Sequence, residues 1–377
     1  MKKRIISIVI LIALISSLVV IGGCGKKEPK VYKIGVCVAL TGDSGLWGQN
    51  ARKGMQIVLD QVNFHKGING EKLELVYEDN QGKPSQAVSA FKKLIDVNKV
   101  PMVLGGMLTS TTLAMAPLAN NSKVVLMGIS TSSPVTTKAG PYIYRVWPSD
   151  LYEGTIFAKW VFQHGYKKVG ILYLHNDYGE GLKTSFEKEF ILLGGTITRA
   201  ETFTDLQKDF RSILEKVKNT NPDAIYIVGY YQNTALIVRQ ASQLRIKSLL
   251  LGTSSAENPE LIEIAGKAAE GFIYPVVNDF DLENLTVQQE KFYNEFEDRY
   301  GFAPGWDATH GADALKVAIT CLKNGAISGE QIKNYIDKRR IFEGVTGEIV
   351  FDENGDPINK PIVIKIVRNG RFQRYRK

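Results

Sequence analysis

The chain has 377 residues, of which 44% are apolar and 23% charged, and its formal net charge is +8. A chain of that length is too long for a single small hydrophobic core and fits two domains of roughly 150 residues each. Much of the basic excess lies at the two ends. No stripe of basic residues interleaved with aromatics runs through the middle, so nucleic-acid binding is disfavoured.

The N-terminus has the pattern of a targeting segment. The basic stretch 2–4 precedes the apolar run 5–21, and two glycines then lead to Cys24. This pattern resembles a bacterial lipoprotein signal: residues 1–23 are a cleaved signal peptide, Cys24 carries lipid, and residues 24–30 form a tether. An uncleaved membrane anchor is the alternative. Both interpretations place the globular part outside the cytoplasmic membrane.

Strand and helix patterns then alternate along the first half, which predicts a parallel sheet with helices on both faces. A helix over Trp47–Phe64 has one apolar face, and Pro84 opens the next helix. The predicted strands of this half are Lys33–Leu40, Leu73–Tyr77, Val100–Gly106 and Lys123–Gly128.

Two hydroxyl-rich loops follow two of these strands. One is Thr109-Ser110-Thr111-Thr112, and the other is Ser130-Thr131-Ser132-Ser133. Each strand end leads into a helix N-terminus, which offers free N–H groups and a partial positive charge. The hydroxyl groups of the loops add further hydrogen-bond donors. Side by side at one sheet edge, the loops predict a site for an anionic group such as a carboxylate. Ordinary helix capping is the alternative.

The alternation restarts after Asp150. An aromatic residue followed by glycine recurs at matching points, as Trp47-Gly48 and Tyr178-Gly179. This repeat predicts an α/β protein of two similar, doubly wound parallel-sheet lobes, each with an aromatic residue at the start of its first helix. Coincidence between two ordinary α/β units is the alternative. The predicted strands of the second half are Lys168–Leu174, Thr196–Phe203, Asp223–Gly229, Ser248–Gly252 and Phe272–Val277.

No signature of catalysis or metal binding is present. The motifs of serine hydrolases, nucleotide-binding loops and zinc proteases are all missing, and the four histidines are isolated. Cys37 and Cys321 fit buried free thiols. We therefore expect a ligand-binding protein that is not an enzyme and holds no cofactor or metal.

Several stretches together resemble the substrate-binding proteins of ABC importers for branched-chain amino acids and related ligands, which have the type I periplasmic-binding-protein fold. The resemblance runs from about Val31 to Arg371. The matching stretches are 34–42, 77–79, 145–150, 178–181, 222–225, 265–271 and 344–352.

The resemblance implies two lobes that are joined by three crossovers and close on a small ligand. The crossovers are expected near Pro148–Ser149, Pro275–Val277 and Val345–Gly347. Lobe 1 then comprises residues 31–148 and 277–345, and lobe 2 comprises residues 149–276 and 346–377.

The resemblance also implies which residues hold the ligand. Thr109, Ser130 and Ser132 take the carboxylate and amine, with the neighbouring Ser110 and Thr131 in the same two loops. The aromatic walls of the site are Trp47, Tyr178, Tyr230 and Trp306. Ser254 is the polar residue that faces the hydroxyl loops.

One position departs from the family's pattern. Amino-acid binders of this kind place an acidic residue where this chain has Ser254. A buried ammonium without a counter-charge is costly. The sequence therefore favours a small carboxylate ligand without an ammonium group, and an aromatic one fits the tryptophans. Branched-chain amino acids, with Glu257 or Asp177 as the ammonium partner, are the alternative.

The expected partners are the small-molecule ligand and an ABC permease in the membrane. A ligand sensor of the same fold is a further alternative. The protein is expected to be an extracytoplasmic, lipid-anchored monomer.

Overall fold

A computed structural model describes residues 31–277, 280, 282, 284–358 and 360–376. The predicted signal segment and Cys24 lie outside this range. No described helix is long and apolar enough to cross a membrane. The two described cysteines, Cys37 and Cys321, are buried free thiols, and burial raises the pKa of each to about 12.

Lobe 1 is built on five parallel strands in the order β2-β1-β3-β4-β5. Glycines at the ends of β3 and β4 pair with each other, Gly105 with Gly128, so the loops that follow these strands are neighbours. This is the arrangement predicted for the two hydroxyl loops. The strands are β1 (Tyr32–Val38), β2 (Leu73–Asp79), β3 (Met102–Gly105), β4 (Val125–Gly128) and β5 (Ile143–Arg145).

Two long helices of this lobe pack closely because glycines lie between them. A Cβ atom at Gly54 would lie 2.0 Å from the carbonyl oxygen of Ala308, and one at Gly311 would lie 2.8 Å from that of Ala51. The helices of lobe 1 are α1 (Gly45–Phe64), α2 (Pro84–Asp96), α3 (Thr109–Ser122), α9 (Val287–Tyr300), α10 (Trp306–Lys323) and α11 (Gly329–Arg339).

Lobe 2 is built on seven strands in the order β15-β14-β10-β9-β8-β6-β7. The five strands β6 to β10 run parallel, while β14 and β15 are antiparallel additions at one edge. The strands are β6 (Lys168–Leu174), β7 (Thr196–Phe203), β8 (Ala224–Val228), β9 (Leu249–Leu251), β10 (Ile273–Val277), β14 (Ile362–Arg368) and β15 (Arg371–Arg374). The helices are α4 (Asp150–Gln163), α5 (Asp177–Leu192), α6 (Arg211–Lys218), α7 (Tyr231–Gln243) and α8 (Pro259–Ala265). The predicted α/β class with two similar parallel-sheet lobes is confirmed.

The chain passes between the lobes three times. The first passage lies between β5 and α4, and the second follows β10, because α9 returns to lobe 1, where Gln61 donates to Glu295. The third comes later than the expected 345–347. A small sheet of β11 (Ile341–Glu343), β12 (Glu348–Phe351) and β13 (Pro357–Ile358) comes first. It is held on lobe 1, where Lys316 donates to the Gly344 carbonyl and Arg145 pairs with Asp356, so the chain crosses between Ile358 and Ile362. The two-residue strand β13 is too short to be recognised from sequence periodicity.

Candidate functional site: a cleft between the two lobes

The two hydroxyl loops form one wall of the cleft. Thr109 is the first residue of α3, so its hydroxyl lies beside the unpaired N–H groups of that helix. The Ser133 amide approaches Thr109 Oγ1 at 3.5 Å, and Ser130 Oγ donates to the Met107 carbonyl at 2.8 Å. The loops are therefore tied to each other, and their donors are grouped in a way that suits an anionic group.

The repeated aromatic–glycine pairs have a common physical cause. A Cβ atom at Gly48 would lie 1.8 Å from the Ala39 carbonyl oxygen, and one at Gly179 would lie 1.9 Å from that of Leu174. In each lobe the glycine thus lets the first turn of a helix press against the end of its preceding strand. The aromatic residue before it, Trp47 or Tyr178, is thereby placed at the cleft.

Aromatic rings from both lobes meet in the cleft. Trp47 contacts Tyr230 at a centroid distance of 5.5 Å and Trp306 at 5.6 Å. Tyr178 stacks on Tyr230 at 5.5 Å with an interplanar angle of 7°, and Trp147 meets Trp306 edge-on at 5.3 Å. Trp306 begins α10, and the close packing of α10 on α1 brings it beside Trp47.

These residues enclose a small cavity between the lobes, and its mostly apolar lining with a few polar groups is typical of small-molecule sites. Eight of the ten residues that sequence analysis singled out line it: Trp47, Thr109, Ser130, Ser132, Tyr178, Tyr230, Ser254 and Trp306. Ser110 and Thr131 do not line it. The Thr131 hydroxyl is instead fully buried against that of Thr136 at 3.0 Å, and Ser110 lies in the first turn of α3.

The remaining lining residues were not foreseen: Met107, Leu108, Trp147, Glu153 and Ser255. Glu153 is the most informative of them. It lies in the first turn of α4 and is only 3% exposed. An acidic residue in the first turn of a helix is normally attributed to the helix dipole, so the sequence alone gave no reason to place it in the cleft.

Glu153 is hydrogen-bonded to Ser254, the residue that departs from the family's pattern. Ser254 Oγ donates to Glu153 Oε2 at 2.5 Å, and the Ser254 amide donates to Oε1 at 3.3 Å. A carboxylate therefore lies next to position 254, although it belongs to a different helix. The site has an acidic group after all.

Burial dominates the electrostatics of this region. It raises the pKa of Glu153 to about 7, against the lowering effect of the hydrogen bonds from Ser254. Asp150, one helical turn earlier and 1% exposed, has its pKa raised well above the ordinary value by burial and then by the charge of Glu153. A cationic group in the cavity would offset this concentration of negative charge.

The two acidic residues proposed from sequence do not line the cavity. Glu257 Oε1 accepts from Lys365 Nζ at 2.7 Å, in a separate groove. Asp177 is exposed at the start of α5. Glu153 thus replaces both as the acidic residue of the site.

The lobes touch each other across the cleft. Trp47 of lobe 1 also packs on Tyr231 of lobe 2 at 5.5 Å, and Gln232 Nε2 donates to the Asp43 carbonyl at 2.7 Å. This is a closed arrangement, in which the cavity is bounded on both sides. Within the described part of the chain no cluster of histidine, cysteine and acidic residues is suited to a metal ion.

The chain is similar to known binding proteins in sequence and in fold. A family model described as "Periplasmic binding protein" matches residues 31–371. The leucine-, isoleucine-, valine-, threonine- and alanine-binding protein of Pseudomonas aeruginosa is 27% identical over 330 residues, which cover 86% of each chain.

Two crystal structures share the fold. The leucine-binding protein LivK of Thermotoga maritima is 33% identical, with a TM-score of 0.86, and the match covers 92% of this chain and 98% of that one. The branched-chain amino acid binding protein LivJ of Streptococcus pneumoniae, in complex with isoleucine, is 27% identical with a TM-score of 0.84, and the match covers 91% and 98%.

Proposed function

Because the chain belongs to the periplasmic binding protein family, we propose that it captures an α-amino acid with an apolar side chain and delivers it to a membrane permease. The broader role, an extracytoplasmic solute-binding protein of an ABC importer, follows from the family. The ligand class rests on the cavity, and one observation carries it: a buried carboxylate, Glu153, lines the same cavity as the hydroxyl loops.

The two ends of an amino acid find complementary groups here. Thr109 and Ser132 offer hydroxyl and amide donors to a carboxylate at the N-terminus of α3, while the Ser130 hydroxyl already donates to the Met107 carbonyl. Glu153, in lobe 2, offers a negative charge to an ammonium group. Such a ligand connects the two lobes, which supports closure of the cleft around it.

The rest of the lining favours an apolar side chain. Trp47, Trp147 and Trp306 together with Met107 and Leu108 give the cavity an apolar wall. Burying an aliphatic side chain against such a surface contributes about 2 kcal/mol. The named relatives bind leucine, isoleucine or valine, and this chemistry agrees with the cavity.

A thermal-shift panel of amino acids, aliphatic acids and aromatic acids tests the proposal. A ligand at about 100 times its dissociation constant adds about 2.7 kcal/mol, which raises the midpoint by several degrees. We expect leucine, isoleucine or valine to give that shift. A shift with acids that lack an ammonium group, and none with these amino acids, would contradict it.

The raised pKa of Glu153 favours a second candidate, a carboxylate ligand without an ammonium group. With a pKa of about 7, Glu153 carries a proton over part of the physiological range and can then donate a hydrogen bond to a neutral ligand group. The two candidates predict opposite pH dependence of binding.

The N-terminal segment supports a further part of the proposal. Cys24 follows two glycines and an apolar run, so we expect lipid on its thiol and a monomer tethered to the membrane. Mass spectrometry of the membrane-extracted protein should show a chain that begins at Cys24 and carries added lipid mass. A chain that keeps residues 1–23 without that mass would exclude the lipid anchor, and size-exclusion chromatography with light scattering would test the monomer.

A further inference from the structure

A buried arginine lies directly behind the hydroxyl loop 130–133. Arg145, at the end of β5, is 1% exposed. Its Nε and Nη2 donate to the two carboxylate oxygens of Asp356 at 2.7 and 2.6 Å. A two-pronged pair of this kind fixes the guanidinium plane and neutralises its charge.

The guanidinium group also contacts the loop itself. Nη1 donates to the carbonyl oxygen of Ser133 at 3.0 Å and lies 3.5 Å from that of Thr131. Nη2 additionally donates to Thr137 Oγ1 at 2.8 Å. Arg145 therefore contacts the loop on both sides of Ser132, a residue that lines the cavity.

These contacts set the direction of the peptide groups between them. A trans peptide is planar, so its C=O and N–H point in opposite directions. With the Thr131 carbonyl turned toward Arg145, the Ser132 amide points away from it. The Ser132 carbonyl in turn accepts from the Asp150 amide at 2.8 Å, which fixes the next peptide.

We propose that Arg145, held by Asp356, is a positioning residue that orients the loop 130–133 so that Ser132 presents its amide and hydroxyl to the ligand's carboxylate. Arg145 is not among the residues that line the cavity. Asp356 belongs to the segment between β12 and β13, so residues far apart in the sequence determine the shape of the carboxylate end of the site. This inference rests on the proposed function for its ligand probe but not for its loop readout.

The test compares L-leucine with L-leucinamide, which keeps the ammonium group and side chain but lacks the carboxylate. Calorimetry on Arg145→Gln should show leucine binding weakened by about tenfold, the contribution of roughly one hydrogen bond, with leucinamide binding little changed. In the ligand-free variant, backbone amides of residues 130–137 should exchange with solvent faster than in the wild type.

Asn120→Ala is the matched control. Asn120 makes three hydrogen bonds in the same lobe, to Ala116, Ala139 and Tyr142, and none to residues 130–133. This variant should unfold at a lower temperature than the wild type and keep the ratio of leucine to leucinamide affinity. A role in stability alone would give Arg145→Gln the same unchanged ratio.

The proposal is overturned if Arg145→Gln folds, keeps the affinity ratio and keeps its amide protection. If it does not fold, Thr137→Val removes one partner of the guanidinium at a half-buried position. If Thr137→Val keeps both the leucine-to-leucinamide affinity ratio and the amide exchange rates of residues 130–137, the proposal is likewise overturned. If the wild-type protein binds neither leucine, isoleucine nor valine, the proposed function fails, and the exchange measurement alone decides the role of Arg145.

Discussion

At the scale of single residues, Glu153 carries most of the functional argument. Its carboxylate is buried in the cavity and hydrogen-bonded to Ser254. Glu153→Gln keeps the shape of the side chain and removes the charge. We expect it to weaken leucine binding by roughly 100-fold, because a buried ammonium then lacks its counter-charge. Calorimetry measures the change.

Glu257→Gln is the control for this substitution. It removes a carboxylate that is paired with Lys365 outside the cavity. Leucine affinity should stay within about threefold of the wild type, as expected for a group that does not touch the ligand. Equal losses in both variants would mean that Glu153 acts through stability rather than through the ligand.

The same residue predicts a pH dependence of binding. Burial raises the pKa of Glu153 to about 7 in the closed structure. An ammonium ligand requires the ionised form, so its affinity should fall as the pH drops below about 7, by up to tenfold per pH unit. A ligand without an ammonium group, bound to protonated Glu153, should instead bind more weakly as the pH rises above that value.

The raised pKa also has a consequence for folding stability. The folded state binds more protons than the unfolded state between the ordinary glutamate pKa of 4.5 and the raised pKa of about 7, so this residue's contribution to stability falls as the pH rises across that window. At about pH 8, Glu153→Gln should therefore increase the free energy of unfolding, by up to about 3 kcal/mol. Urea unfolding of both proteins checks the sign, and a loss of stability would show that the carboxylate is not buried in this way.

The hydroxyl loops give a separate test at the carboxylate end. Ser132→Ala and Thr109→Val each remove one hydroxyl that lines the cavity. Each should weaken leucine binding by about tenfold, as for a hydrogen bond to a charged group. Undiminished affinity in both variants would remove the carboxylate-site assignment.

At the scale of helices and strands, the first turns of α1 and α5 place the aromatic walls. Gly48→Ala puts a Cβ atom 1.8 Å from the backbone oxygen of Ala39, so the helix must shift. Both stability and ligand affinity should fall. Gly45→Ala, in the same helix, brings a Cβ atom only to 3.3 Å from the Leu40 oxygen. It should affect both much less, and equal effects from the two substitutions would contradict the close-approach argument.

Much at this scale could be predicted from the sequence, and the exceptions have physical causes. The βα order, the adjacency of the two hydroxyl loops and the paired Trp47-Gly48 and Tyr178-Gly179 are local patterns with a regular period. Glu153 could not be predicted, because its role depends on a contact with Ser254, about 100 residues away in the sequence. Sequence periodicity does not report contacts of that range.

At the scale of the whole molecule, closure of the two lobes connects binding to delivery. Trp47 packs on Tyr230 and Tyr231 across the cleft, and the hydrogen bond from Gln232 to the Asp43 carbonyl also joins the lobes. We expect the ligand-free protein to open about its three crossovers and leucine to close it. Small-angle scattering should show a smaller radius of gyration with leucine. An unchanged radius of gyration would mean that the protein is closed both with and without leucine.

The position of the third crossover depends on contacts between distant residues. The third was expected at 345–347, but it follows Ile358, because Arg145 and Asp356 hold the turn between β12 and β13 on lobe 1. That ion pair joins residues from opposite ends of the lobe 1 sequence. A resemblance of short motifs does not reveal which sheet such a segment joins.

The central claim is that the cleft holds an α-amino acid with Glu153 as the partner of its ammonium group. The most direct test is calorimetry of the wild-type protein with L-leucine and with 4-methylpentanoate, which is leucine without its ammonium group, at about pH 8, where Glu153 is ionised. Leucine should bind at least roughly 100-fold more tightly than 4-methylpentanoate. Equal or tighter binding of 4-methylpentanoate would contradict the account.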